Sequence, residues 1–227
     1  KVTPNLVIAL ADRHLGVGFD QLAVITKGND LTITFYNADG SQSAACGNAT
    51  RCIAAHEMTH SHKKVLDITI AGRGILRAEQ NKDGTISVNM GQPQLEWQDI
   101  PLSHETDTLS LPINGTPVAT GMGNPHCTFF VDDIHTTDVI NRGTEIEHHP
   151  LFPERTNVQF AQIIGRDHIR MRVWERGTGL TLASGSSSCA TAVAAVRRGL
   201  TSRSVKIELG GGILHIDWRK DGVWMSG

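Results

Sequence analysis

FYNADGSQSAACGNATRC, residues 35–52, reads as the end of a strand, a polar turn, then a cysteine with Gly-Asn behind it and a helix beyond. VWERGTGLTLASGSSSC, residues 173–189, repeats that layout with a serine where the thiol should stand. Laid over one another, the two stretches set Cys46 against Ser184 and Gly47 against Gly185, an offset of 138 positions. At the same offset Asn37 meets Glu175, QLAVI (21–25) meets QFAQI (159–163), and AGRGIL (71–76) meets LGGGIL (209–214). Asp83-Gly84 meets Asp221-Gly222. One offset held over so much chain is the mark of an internal duplication.

Each half then predicts the same elements. ITFYN is a short strand and CGNATRCIAAHEM a helix of about three turns. ITIAGRGILRAEQ and TISVNM are strands joined by a turn at Lys82-Asp83-Gly84. The second half gives IRMRVWE, then SGSSSCATAVAAVRRG, with two arginines in its last turn and Gly199 as the stop signal. Ala190, Ala192, Ala194 and Ala195 make that helix small and apolar all round, which suits a helix enclosed by its own sheet. The expected fold class is α+β: two pseudo-symmetric lobes, each a curved, mostly antiparallel sheet around a central helix. Pro112 to Pro117 suggests lobes of 1–111 and 112–227. Gly123-Asn124-Pro125-His126 has no counterpart, since its partner would precede residue 1, so the expectation is either that the first lobe has lost an opening strand and loop or that the chain begins inside a longer one.

Composition narrows the function. At 39% hydrophobic residues the chain can bury a substantial core, and a net charge of −2 without a basic run argues against nucleic acid. No apolar segment reaches membrane-spanning length and no signal-peptide pattern opens the chain. Four cysteines at irregular spacing do not describe a disulfide framework, so a soluble cytoplasmic protein is expected. Cys52, His56 and His60 share one helix face at i, i+4, i+8, a spacing that could hold zinc. With 11 histidines in the chain such clusters arise by chance, and no metal is expected.

A helix start presents unpaired N–H groups and the positive end of the helix dipole. Gly47 and Gly185 leave those groups open to a carboxylate. A thiol at such a mouth is favoured as thiolate, whereas a free cysteine is more often a small buried hydrophobe. The polar approach to Cys46 (Asn37, Asp39, Ser41, Gln42, Ser43) favours reactivity there, and the apolar turns around Cys52 and Cys189 favour burial. Two such mouths facing each other across a cleft could address opposite faces of one carbon. That arrangement suits deprotonation on one side and reprotonation on the other, with helix amides stabilising the enediolate-like charge. No cofactor is needed in principle, though so weak a carbon acid demands a dry, closed site.

NADGSQSAACGNATRC, GNPHC (123–127), ERTN (154–157), ERGTGLTLASGSSSC (175–189) and ADRHLGVGFDQL (11–22) resemble the signatures of diaminopimelate epimerase. This is a pyridoxal-independent epimerase family of lysine and peptidoglycan synthesis, and the likeness runs over essentially the whole chain. It implies two similar lobes closing over the substrate, a cysteine from each as base and acid, no cofactor, a dipolar amino acid as substrate, and a homodimer. By the resemblance Cys46 matches the first catalytic cysteine and Ser184 stands in the place of the second. Gly47-Asn48 and Gly185-Ser186 match the pockets for the reacting carboxylate, and Glu175 would hold the α-amino group. Asn37, Asn157 and Arg176 would grip the distal end, with Asn124, His126 and Gln21 at the cleft. Arg176 has its own physical case, since a guanidinium reads a carboxylate bidentately, although a surface arginine after a strand is equally ordinary. His126 is as readily a structural hydrogen-bonder as a catalytic base.

The sequence departs from the family in three places. The opening His-Gly-x-Gly-Asn-Asp-Phe stretch is missing, ASG replaces ACG at 183–185, and Ser186-Ser187-Ser188 replaces a Thr/Ser-Gly-Ala pattern. A serine is a far weaker acid than a cysteine, and no neighbouring basic residue in the sequence activates Ser184. The expectation is impaired turnover. The alternatives are a racemase or dehydratase that uses one thiol, and a non-catalytic amino-acid-binding module.

Overall fold

The computed structural model describes residues 2–28, 31–43 and 47–227. The chain divides into two compact units, Lys1–Val88 and Asn89–Gly227.

The first unit contains α1 (Pro4–Ala11), β1 (Gln21–Lys27), β2 (Leu31–Asn37), β3 (Gln42–Ser43), α2 (Gly47–Ser61), β4 (Val65–Ile70), β5 (Gly74–Gln80) and β6 (Ile86–Asn89). Its sheet runs β1-β2-β4-β5-β6, with β3 paired to β2, and only the β2–β4 contact is parallel. Alternation decides the faces. Ile33 and Phe35 of β2, Ile68 and Ile70 of β4, and Leu76 and Ala78 of β5 point into the core, while their neighbours face outward. α2 packs on β4 and β5 and buries Thr50, Ile53, Ala54 and Met58. Cys52 lies off that stripe and is exposed, against the expectation of burial. Its position in the helix turn, rather than its apolar neighbours in sequence, sets its exposure. The His56 and His60 rings lie 4.2 Å apart between centroids, tilted by 44°, His60 Nδ1 meets the His56 carbonyl at 2.7 Å, and the described residues form no metal-binding group of side chains.

The second unit contains β7 (Val118–Gly121), β8 (Pro125–Phe130), α3 (Val139–Glu147), β9 (Asn157–Gly165), β10 (His168–Glu175), β11 (Gly179–Thr181), α4 (Gly185–Arg197), β12 (Ser204–Leu209), β13 (Gly212–Arg219) and β14 (Gly222–Ser226). Its sheet runs β14-β13-β12-β10-β9-β8-β7, with β11 on β10. The order β9-β10-β12-β13-β14 repeats β1-β2-β4-β5-β6, including one parallel contact at the helix crossover, β10 with β12. The duplication read from sequence is therefore a duplication of topology. Its offset is not uniform: Ile68 and Ile70 correspond to Ile207 and Leu209, one position further on than 138, whereas Leu76 returns to it at Leu214. The three-residue turn Ala71–Arg73 has become the two-residue turn Gly210-Gly211, which absorbs the difference.

α4 touches β7, β8, β9, β12, β13 and β14, and every side chain from Ser187 to Ala195 is buried. Small side chains let the curved sheet approach it from several sides, as the alanine content predicts. Its end is a Schellman turn: Gly199 takes φ of 70°, its N–H bonds to the Val196 carbonyl at 2.9 Å, and the Leu200 N–H bonds to the Ala195 carbonyl at 2.9 Å. The opposite face of the sheet carries a second core, in which Phe129, Val158 and Phe160 meet Ile100, Leu111, Val139 and Ile146.

A lobe boundary at 111–112 falls inside this second unit. Ile100, Leu102 and Leu111 join its core, and the last-turn arginines of α4 hold the intervening segment. Arg197 donates to the Thr108 hydroxyl and the Ala119 carbonyl, and Arg198 donates to the carbonyls of Leu109 and Thr116. Among the described residues no helix is long and apolar enough to cross a membrane.

Candidate active site

In the second unit the β10–β11 hairpin turns the chain back on itself, so Glu175 at the end of β10 comes beside Ser184 at the mouth of α4. Ser184 is the N-cap residue, with extended backbone (φ −149°, ψ 117°), yet its hydroxyl caps no helix N–H. It instead donates to Glu175 Oε2 at 2.9 Å, and Thr181 donates to Oε1 of the same carboxylate at 2.6 Å. A carboxylate partner for Ser184 therefore stands nine residues upstream, brought beside it by a hairpin where the sequence alone offered no adjacent basic residue.

A buried polar chain runs on from Ser184. Ser187 Oγ lies 2.9 Å from Ser184 Oγ, Gln159 Nε2 lies 3.1 Å from Ser187 Oγ and 3.0 Å from His126 Nδ1, and His126 Nε2 lies 2.8 Å from Asn124 Oδ1. Thr128 donates to Gln159 Oε1 at 3.1 Å. His126 has no exposed surface, and burial, reinforced by the Arg176 charge, pushes its pKa down to about 3. It is neutral and fully hydrogen-bonded, which suits a structural role and not that of a base near neutral pH.

Asn157, 4% exposed, donates to the Pro125 carbonyl at 3.0 Å and accepts the Arg176 N–H at 3.0 Å. The guanidinium of Arg176 is exposed, with Nη1 donating to the Glu154 carbonyl at 3.0 Å. The hairpin bearing Glu175 and Arg176 is fixed from behind by buried Glu147 of α3, which accepts from Trp174 Nε1 at 2.7 Å and from the Gly177 N–H at 2.9 Å. Burial raises the Glu147 pKa, but these hydrogen bonds and the nearby His148 and Arg155 outweigh it and hold the carboxyl below its usual value. Gly185 is buried and Ser186 half-buried in the first turn of α4. Cys189 is buried, as expected, and Cys127 lies in the Phe129 core, where burial pushes its thiol up.

The corresponding corner of the first unit gathers Gln21, which donates to Asn37 Oδ1 at 3.0 Å, and Asn37, which donates to the Ser41 hydroxyl at 3.0 Å. Ser41 in turn donates to Asp39 at 2.6 Å. Gly47 and Asn48 open α2, where Asn48 accepts from Arg51 at 3.1 Å. Cys46 lies outside the described residues. Gln159, Ser187 and Thr181 were not singled out as site residues. Gln159 had a signal in sequence, as the repeat partner of Gln21, and Ser187 had one in its departure from the family pattern.

The family model for diaminopimelate epimerase matches residues 1–96 and 118–227. Diaminopimelate epimerase of Rhodospirillum centenum is 49% identical over 228 residues, covering 96% of this chain and 78% of the relative. That of Acidiphilium cryptum is 48% identical over 234 residues, covering 100% and 84%. Among solved structures, a hydroxyproline epimerase from Agrobacterium vitis superposes with a TM-score of 0.68 at 12% identity, covering 97% of this chain and 75% of that one. A Bacillus anthracis protein of the PhzF phenazine-biosynthesis family gives 0.66 at 15%, covering 99% and 85%. At such low identity those two likenesses are of fold, whereas the sequence relatives carry kinship: this chain belongs to the diaminopimelate epimerase family, pyridoxal-independent amino-acid epimerases.

Proposed function

We propose that the protein interconverts LL- and meso-diaminopimelate by moving a proton between the two faces of the α-carbon, with Cys46 the proton-transferring group on one face and Ser184 on the other. The observation that carries this reading is the 2.9 Å hydrogen bond between Ser184 and Glu175 at the mouth of α4, in a chain of this family. As the substrate's proton reaches the Ser184 oxygen, the hydroxyl's own proton passes to the Glu175 carboxylate. The electron pair stays on the α-carbon and spreads into the substrate carboxylate. The first-turn amides of α2 and α4, at Gly47-Asn48 and Gly185-Ser186, supply donors for that carboxylate. Asn37, Asn157 and Arg176 hold the distal amino-acid end, and Gln21, Asn124 and His126 complete the polar surround.

A hydroxyl is a weaker acid than a thiol, so turnover is slower than a cysteine at 184 would support. Binding draws on backbone amides and is little affected. The test supplies LL- and meso-diaminopimelate to the chain and to Ser184→Cys and follows the ratio of diastereomers. We expect comparable KM in both and at least about tenfold faster epimerisation with cysteine. Equal rates would contradict the role given to Ser184, and binding without turnover in either would leave the non-catalytic binding module as the better reading. A dimer and a cytoplasmic location accompany the family reading and are read by light scattering and cell fractionation.

A further inference from the structure

The proton directions of the buried chain follow from one end. Glu175 as carboxylate only accepts, so the single proton of Ser184 points at Oε2. The 2.9 Å contact between the two serines must then be made by the proton of Ser187, donated to the Ser184 oxygen. With that proton committed, Ser187 accepts from Gln159 Nε2, whose second N–H goes to His126 Nδ1. His126 therefore carries its proton on Nε2 and gives it to Asn124. Each donor has one acceptor, and the neutrality that burial imposes on His126 is the condition the chain requires.

This ordering leaves Ser184 donating its proton to Glu175, one lone pair accepting from Ser187, and a second lone pair for a substrate proton. We infer that Ser187 is a positioning residue for proton transfer at Ser184, acting through the hydrogen bond it donates to the Ser184 oxygen. The inference rests on the reading that Ser184 is the proton-transferring group. While the α-C–H bond breaks, Ser184 Oγ takes the substrate proton and releases its own to Glu175, which becomes the neutral acid; the reverse step returns both. Negative charge gathers on that oxygen during the transfer as its own proton moves toward Glu175 ahead of the substrate proton's arrival, and the hydrogen bond donated by Ser187 strengthens as it does. Both serines are buried (Ser184 4% and Ser187 0% exposed), where such a bond is screened little by water.

The duplication supports a compensating role. The repeat partner of Ser187 is Ala49, in the half that has Cys46 at the position of Ser184. A thiol at a helix N-terminus is already favoured as thiolate, whereas a hydroxyl there needs a further donor. The hydroxyl at 187 thus accompanies the hydroxyl at 184, and the alanine at 49 accompanies the cysteine at 46.

The experiment compares the full chain, Ser187→Ala, Ser184→Cys and the double variant Ser184→Cys with Ser187→Ala, measuring kcat and KM for diaminopimelate epimerisation and the thermal midpoint of each. Loss of a donor to developing charge predicts a fall in kcat of roughly tenfold to a hundredfold for Ser187→Ala on the serine background. KM should stay within about threefold, and kcat should change by less than about threefold on the cysteine background. The same fall on both backgrounds would show that Ser187 merely ties α4 to Gln159 and would overturn the inference, as would no fall on either. Epimerisation absent in the parent but present with Ser184→Cys would also count against it. Ser184→Ala is measured alongside: an unchanged rate there would remove the underlying reading itself, a failure distinguishable from that of Ser187.

Discussion

His126 is wholly buried between Gln159 and Asn124, and its Nδ1 accepts a hydrogen bond, so a second proton there would set one N–H against another. Its pKa lies near about 3 in the folded chain against 6.5 for the free side chain. The unfolded chain therefore gains a proton below about pH 6.5 that the native state refuses until about pH 3. Stability falls as pH drops through that window, by up to about 1.4 kcal/mol per pH unit, and His126 adds no pH dependence above it. His126→Gln should flatten the decline, measured as urea midpoints between about pH 4 and pH 7; identical slopes in both proteins would contradict this account of the buried imidazole. Ser184, Glu175, Asn157 and His126, which the family resemblance brings together, gather at one corner of the second unit. Gln159 and Ser187 were missed because their pairing joins β9 to α4 across 28 residues, a separation at which only folding reveals a partner.

α3 shows how an element away from the chemistry sets its geometry. Glu147 in its last turn holds Trp174 and Gly177 on either side of Glu175 and Arg176, so the placement of the helix on β10 fixes where the carboxylate lies. Close approach depends on Gly143, where a Cβ would stand 2.6 Å from Cβ and Cγ of Trp174. Gly143→Ala must push the indole or the helix away. Overpacking of this kind typically costs about 1–3 kcal/mol, to be read from the denaturation midpoint, together with a loss of kcat as the Glu175 hairpin shifts. A variant as stable and active as the parent would show that α3 does not hold the hairpin. The helix-enclosing sheet around α4 could be read from its run of alanines. The exposure of Cys52 could not, since it depends on which side of α2 the sheet covers.

The whole molecule is one motif used twice and allowed to diverge. Duplication was legible because the glycines, turns and strand patterns stay in step, down to a parallel pair beside each helix crossover. What stayed hidden was the one-residue drift at β4 and β12 and the attachment of residues 89–111 to the second unit, which depends on the Thr108 hydroxyl held by Arg197 and the Leu109 carbonyl held by Arg198. Divergence is sharpest in sequence where Cys46 of one half meets Ser184 of the other, a hydroxyl that Glu175 and Ser187 both contact. On the proposed two-base reading, the two faces of the substrate are treated unequally. The most direct measurement follows α-deuterium uptake from D2O in LL- and meso-diaminopimelate separately, comparing exchange with inversion in the initial phase. The account predicts that the diastereomer presenting its proton to Cys46 takes up deuterium at least about tenfold faster than it inverts. The other should exchange no faster than it inverts, Ser184→Cys should reduce the disparity, and Cys46→Ala should abolish the fast exchange. Equal exchange from both diastereomers, or fast exchange that survives Cys46→Ala, would contradict it.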